Sequence, residues 1–146
     1  MIGPESEKVV DEELTVDGTV YSITLVNLGN PHCVVFVSDV RTIDLPSIGP
    51  KFEHHPVFPN RINTEFIQVL DRNNLRMRVW ERGCGETLAC GTGATASAVA
   101  AILNGLTYDT VMVHLAYGDL TIEWKNHHEL FMTGGAETVF TGEYRI

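Results

Sequence analysis

Cys90 stands directly before the sequence Gly91-Thr92-Gly93 and an alanine-rich run that is predicted to be a helix. The first turn of a helix leaves backbone N–H groups unpaired and carries the positive end of the helix dipole. An anion can bind there, and a thiol at that position is expected to ionise more easily than a free one. With Glu81 and Arg82 at the end of the strand before it, the pattern predicts a carboxylate-binding, cysteine-based active site.

The other cysteines have plainer interpretations, because most free cysteines are small buried packing residues. Cys33 opens the apolar run CVVFV and is expected to pack in the core. Cys84 lies in a glycine loop before Cys90 and is only a minor candidate for a second acid. An odd number of cysteines without a secretory signal is typical of a reducing compartment, so a cytoplasmic protein is predicted.

The composition excludes several classes of partner. The chain has 146 residues and a formal net charge of −9, which disfavours nucleic acid and anionic membranes as partners. No apolar run approaches the roughly 18 residues that a membrane-spanning helix needs. The histidine pairs 54–55 and 127–128 are adjacent in sequence and lack the spacing of zinc ligands, so no metal site is predicted.

Short β-like runs alternate with turn residues along most of the chain. Strands are predicted over 21–26, 33–37, 65–70, 75–80, 110–115 and 120–124, with two final strands around Phe131 and Val139. The proline-broken stretch 46–59 is predicted to hold one short helix and a loop. We expect residues 1–13 to form a leader or linker and residues 14–146 to form a single domain.

The one long predicted helix runs from about Thr92 to Leu103 and is small and apolar on all sides. A helix of this kind is normally buried all round. Many strands and one buried helix therefore predict an α+β fold, a β-roll in which a curved, mostly antiparallel sheet wraps around a central helix.

Three separate segments carry polar residues that could complete a site: LGNPHC at 28–33, RINTEF at 61–66 and ERGCGETLACGTGA at 81–94. Each alone is compatible with an ordinary turn or loop. Together with MTGGA near the C-terminus they resemble the C-terminal half of the diaminopimelate epimerase family, in order and approximate spacing. The resemblance covers about residues 14–146 and implies the β-roll fold of that family.

The resemblance implies a role for particular residues. Cys90 matches one of two catalytic cysteines that face the substrate α-carbon from opposite sides. His32 and Glu81 match catalytic polar groups beside the reacting centre. The matching substrate-binding residues are Asn30, Asn63, Glu81, Arg82, Gly91 and Thr92.

The implied activity is a cofactor-independent epimerisation of diaminopimelate, a step of lysine and peptidoglycan-precursor synthesis. The second cysteine of the family lies in an N-terminal domain whose motif this sequence does not contain. We therefore expect that domain as a partner, and expect this chain to be inactive alone. A homodimer is also expected, through an apolar face or a C-terminal strand near Val139 and Phe140.

Two alternatives stay open. Another racemase of the same fold, acting on histidine or proline, would share the cysteine motif. The Asn30, Asn63 and Arg82 set favours a substrate with a second charged end, which argues against proline. A non-catalytic amino-acid-binding module is the other alternative, although such a module has no need of a thiol at Cys90.

Overall fold

The computed structural model describes residues 9–146. Within them the chain forms nine strands, two α-helices and a 3₁₀ turn at Val40–Thr42. The strands are β1 (Glu12–Val16), β2 (Thr19–Asn27), β3 (Pro31–Phe36), β4 (Asn63–Asp71), β5 (Asn74–Glu81), β6 (Gly85–Thr87), β7 (Thr110–Leu115), β8 (Gly118–Lys125) and β9 (Glu129–Gly134). The helices are α1 (Leu45–Glu53) and α2 (Gly91–Leu103).

The strands form a single mixed sheet in the order β1-β2-β3-β4-β5-β7-β8-β9, and the short β6 pairs with β5. Neighbouring strands are antiparallel except for the pairs β3–β4 and β5–β7. Parallel strands need a crossover between them. Here α1 lies in the chain between β3 and β4, and α2 lies between β5 and β7.

Helix α2 is the centre of the fold. Nine of its thirteen residues, from Gly93 to Ala101, are buried. It contacts strands β2 to β5 and β7 to β9, so the sheet curves around it. Small side chains allow this close approach, because a larger residue would separate the helix from the strands on every side.

Helix α1 covers the opposite face of the sheet and builds a second core. Phe52 packs edge-on against Tyr21 and Phe66, with ring centroids 5.1 and 5.4 Å apart. Gly49 lies against the Trp80 indole so closely that a Cβ there would come within 2.3 Å of the ring. This contact fixes α1 over the end of β5, where the site residues begin.

These observations confirm the predicted α+β fold, with a mostly antiparallel sheet around α2. The predicted strand around Val139 is wrong, because residues 135–146 have no regular secondary structure and Val139 and Phe140 are 87% and 82% exposed. A homodimer contact through a strand at Val139 and Phe140 is therefore wrong too. The homodimer itself stays a prediction.

The division into a leader of residues 1–13 and a domain of residues 14–146 stays a prediction. Strand β1 begins at Glu12, within the stretch assigned to a leader, and the Val9 carbonyl accepts a hydrogen bond from the N–H of Leu25. The remainder of the predicted leader, residues 1–8, falls outside the described residues. Across residues 9–146, neither helix has the length and hydropathy required to cross a membrane.

Candidate active site

Cys90 caps the N-terminus of α2. Its backbone is extended, and its Sγ accepts a hydrogen bond from the N–H of Gly93 at 3.3 Å. The Thr92 hydroxyl lies 3.6 Å from the same sulfur. Because Gly91 and Thr92 are the first two helical residues, their N–H groups have no intrahelical acceptor and are available to an anion.

The ionisation of this thiol differs from the sequence-based expectation. Burial raises the pKa of the Cys90 thiol, and the nearby carboxylates of Glu81 and Glu65 raise it further. The hydrogen bonds from Thr92 and Gly93 lower it but do not compensate. The net pKa of the Cys90 thiol is therefore raised, which is the opposite direction to the one expected for a thiol at a helix start.

His32 lies at the start of β3 and forms a buried pair with Glu65 on β4. The His32 Nδ1 is 2.7 Å from the Glu65 Oε1, and both side chains are fully buried. His32 is directly opposite Asn63 in the parallel register, and Glu65 follows two residues later on the same face of the sheet. This face is the one that α2 covers.

Two hydrogen bonds involve the predicted site residues Glu81, Asn30 and Thr92. Glu81 accepts a hydrogen bond from the Thr87 hydroxyl across the β5–β6 turn. The Asn30 amide donates to the Thr92 hydroxyl at 3.3 Å, which ties the GNPH turn to the helix start. Together with the hydrogen bonds of Asn63 to Pro31 and Arg82, the Asn30–Thr92 contact brings the first turn of α2, the end of β5 and the β2–β3 turn to one edge of the sheet.

Asn63 is engaged with backbone groups on both sides. Its Nδ2 donates to the Pro31 carbonyl at 2.9 Å, and its Oδ1 accepts the Arg82 N–H at 2.9 Å. One amide hydrogen of Nδ2 stays available to a ligand. The Arg82 guanidinium is exposed and donates a hydrogen bond to the Asn60 carbonyl at 3.1 Å.

Glu53 holds the loop that follows Glu81, a role that the sequence did not reveal. This carboxylate is buried and accepts hydrogen bonds from the Trp80 indole at 2.7 Å, the Gly83 N–H at 2.9 Å and the Arg61 guanidinium at 3.2 Å. Burial raises the pKa of Glu53, but these partners outweigh it and the net pKa is lowered. The loop bearing Arg82 is thus anchored to the C-terminal end of α1.

A cavity of about 520 Å³ lies on the β2–β3 side of the site. Residues of the GNPH turn border it, Gly29, Pro31 and His32 among them, as does the segment 57–62. Cys90 is not part of its lining. The cavity therefore reaches His32 but not the Cys90 thiol.

The structure thus gathers the predicted residues Asn30, His32, Asn63, Glu81, Arg82, Cys90, Gly91 and Thr92 at one edge of the sheet. The sequence reasoning missed Glu65, which it treated only as the first residue of a strand. A signal was present: Glu65 is the one charged residue in the run EFIQVL, where a buried strand is otherwise apolar.

We expect the three cysteines to alkylate in the order Cys84, Cys90, Cys33 as the pH rises. Cys84 is exposed, Cys90 is almost buried with a raised pKa, and burial raises the pKa of Cys33 still more. Iodoacetamide labelling of the folded chain, read by peptide mass spectrometry at each pH, measures the order. The urea-unfolded chain is the control and should label all three alike. Labelling of Cys90 at lower pH than Cys84 would contradict the raised pKa.

The fold and the site define a class: an α+β domain that presents a capping cysteine, the first N–H groups of a buried helix and a buried His–Glu pair at one edge. A sequence model of the family "Diaminopimelate epimerase" matches residues 24–139. The chain belongs to the diaminopimelate epimerase family.

Curated relatives have the same name. The chain is 58% identical over 143 residues to the diaminopimelate epimerase of Nostoc punctiforme, covering 97% of this chain and 51% of that protein. It is 53% identical over 146 residues to that of Rippkaea orientalis, covering 99% of this chain and 52% of that protein. The chain thus spans about half the length of the curated relatives it matches.

A solved structure shares the fold. The crystal structure of the Bacillus anthracis phenazine biosynthesis protein of the PhzF family matches with a TM-score of 0.52 and 22% identity. The match covers 74% of this chain and 35% of that protein. At this identity the likeness supports the architecture alone.

Proposed function

We propose that this chain is the C-terminal half of a cofactor-independent diaminopimelate epimerase and supplies one of its two proton-transferring cysteines. The observation that carries the proposal is the position of Cys90, whose sulfur caps α2 beside the free N–H groups of Gly91 and Thr92. The name of the relatives, diaminopimelate epimerase, supports diaminopimelate as the substrate. We take LL-diaminopimelate as the substrate and the meso isomer as the product.

In this mechanism the α-carboxylate of the substrate binds the N–H groups at the start of α2. Negative charge that develops at the α-carbon and its carboxylate is then stabilised by fixed dipoles. Removal of the α-proton without a pyridoxal cofactor requires such stabilisation, because no electron sink is present. His32 and Glu81 are proposed to orient the α-amino group, with Asn30, Asn63 and Arg82 at the distal end of the substrate.

Inversion needs an acid and a base on opposite faces of the α-carbon. A thiolate from the N-terminal half accepts the α-proton on one face, and the Cys90 S–H donates its proton on the other. A new C–H bond forms, and Cys90 is left as a thiolate. The raised pKa of Cys90 supports this assignment, because a thiol that stays protonated at neutral pH is ready to donate.

The test is proton NMR of LL-diaminopimelate in deuterated buffer, which reports loss of the α-proton signal. We expect no exchange with the chain alone and rapid exchange when the chain is fused to the first half of the Nostoc punctiforme relative. Cys90→Ala in the fusion should reduce exchange at least about a thousandfold. The matched control is Cys84→Ala, which changes an exposed cysteine in the preceding loop and should leave the rate unchanged.

Two results would contradict the proposal. Exchange by the unfused chain at the rate of the fusion would show that the second half is not required. Formation of the meso isomer by the Cys90→Ala fusion at the unsubstituted rate would show that this thiol is not the proton donor. A fusion that folds and exchanges the α-proton of histidine but not of diaminopimelate would favour the racemase alternative.

A further inference from the structure

Glu65 lies in the middle of the sheet with no exposure to solvent, which is unusual for a carboxylate. One of its oxygens contacts the Nδ1 of His32 at 2.7 Å. The other oxygen and the Nε2 of His32 are both buried, and neither has a hydrogen-bond partner among residues 9–146. Each residue of the pair therefore has one buried polar atom that is not hydrogen-bonded, Nε2 in His32 and Oε2 in Glu65.

The Glu65 carboxylate also lies close to the Cys90 sulfur, beside the first turn of α2. A Cβ placed on Gly93 would lie 2.9 Å from the Glu65 Oε1 and 3.1 Å from the Cys90 Sγ. Both atoms therefore border the same point in the first turn of α2. No side chain separates them, because glycine occupies the position between.

Stability does not account for this arrangement. Buried ion pairs contribute little to folding, since desolvation offsets their attraction. Each unpaired buried polar atom costs about 1–3 kcal/mol. A hydrophobic pair at positions 32 and 65 would avoid both costs, so the retained His–Glu pair points to chemistry rather than to packing.

We propose that Glu65 is a positioning residue of this site: as a carboxylate it accepts the Nδ1–H of His32, leaves Nε2 as an acceptor, and keeps the Cys90 thiol protonated through its negative charge. The inference rests on the proposed function, because it concerns the residues proposed to move and orient protons there. The substrate ammonium is a donor that an unprotonated Nε2 can accept.

The charged surroundings support the direction of this effect. The titratable groups that interact with Glu65 are His32 and Cys33 on β3, Glu81 at the end of β5 and Cys90 at the start of α2. Burial raises the pKa of Glu65, and the hydrogen bond from His32 opposes this effect without cancelling it, so the net pKa of Glu65 is raised. Removal of the Glu65 charge relieves the thiol of a nearby like charge, so Cys90 should ionise at lower pH.

The first experiment measures site-resolved alkylation of Cys90 against pH in the full chain, before and after Glu65→Gln. We expect the midpoint for Cys90 to move to lower pH, because Glu65 is one of the groups that raise the pKa of this thiol. The matched control is Glu123→Gln on β8, an exposed carboxylate whose removal should leave the midpoint unchanged. A midpoint in the folded Glu65→Gln chain that is unchanged or higher overturns the proposal.

The second experiment does not depend on whether a variant at position 65 folds. Nitrogen-15 NMR of the unsubstituted chain, with His32→Gln for assignment, reports which imidazole nitrogen of His32 carries hydrogen above neutral pH. We expect hydrogen on Nδ1 and none on Nε2, and the opposite tautomer overturns the proposal. Neither measurement uses substrate, so a failure of the diaminopimelate assay leaves both results interpretable, and the two proposals can fail separately.

Discussion

Replacement of Gly49 by alanine is expected to lower the free energy of unfolding of this chain by about 2 kcal/mol. The new Cβ would lie 2.3–2.6 Å from three atoms of the Trp80 indole, far inside van der Waals contact. The indole is rigid, so α1 or the ring must move. Overpacking of this kind costs about 3 kcal/mol, while the better helix propensity of alanine returns about 1 kcal/mol.

Urea unfolding of the chain, followed by circular dichroism, measures this loss. Ser47→Ala is the matched control, because Ser47 is exposed in the same helix and should change stability by no more than about 0.5 kcal/mol. Combining Gly49→Ala with Trp80→Leu removes the ring and should cost clearly less than the two single changes together. Additive costs would show that the clash with Trp80 is not the cause.

The central helix and most strands could be predicted because their signals are local. An all-apolar run of small residues has one stable position, the inside of a curved sheet, and α2 begins within one residue of its predicted start. Strand β7 has the predicted bounds, 110–115, because alternation is unambiguous there. Apolar residues at Val139 and Phe140 gave the same signal but have no neighbouring strand to cover them.

The pairing of the strands could not be predicted in the same way. The parallel contacts β3–β4 and β5–β7 join segments that are distant in the chain, and alternation along one strand does not name its partner. The motifs at 28–33, 61–66 and 81–94 therefore predicted a shared site only through family resemblance. The topology of the sheet explains why these motifs form one site, because β3 and β4 begin, and β5 ends, at the same edge.

The state of the Cys90 thiol shows where local reasoning stops. The helix start does supply a Gly93 N–H to the sulfur, as its sequence position indicated. Burial and the charges of Glu65 and Glu81 depend on tertiary structure, and they outweigh that hydrogen bond. A motif therefore predicts which groups meet a side chain locally, but the pKa depends on everything that packs around it.

Replacement of Gly93 by alanine is expected to reduce α-proton exchange by the fused enzyme about a hundredfold, because small misplacements at a reacting centre have effects of that size. The added Cβ would lie 3.1 Å from the Cys90 Sγ and 2.9 Å from the Glu65 Oε1. It would push the thiol and the carboxylate apart, and so disturb both the donor and the group that is proposed to keep it protonated.

The fold should survive this change, since the position is helical and alanine favours a helix more than glycine does. Gly93→Ala should therefore reduce the exchange rate while the urea unfolding transition stays largely unchanged. Gly49→Ala, by contrast, is expected to lower the free energy of unfolding. Gly142→Ala is the matched control, because its Cβ would make only an ordinary contact at 3.9 Å with Phe140. The contrary result is an exchange rate of the Gly93→Ala fusion within about twofold of the unsubstituted rate. It would mean that the Cys90 sulfur can be displaced without loss of activity, which argues against proton donation from a fixed Cys90.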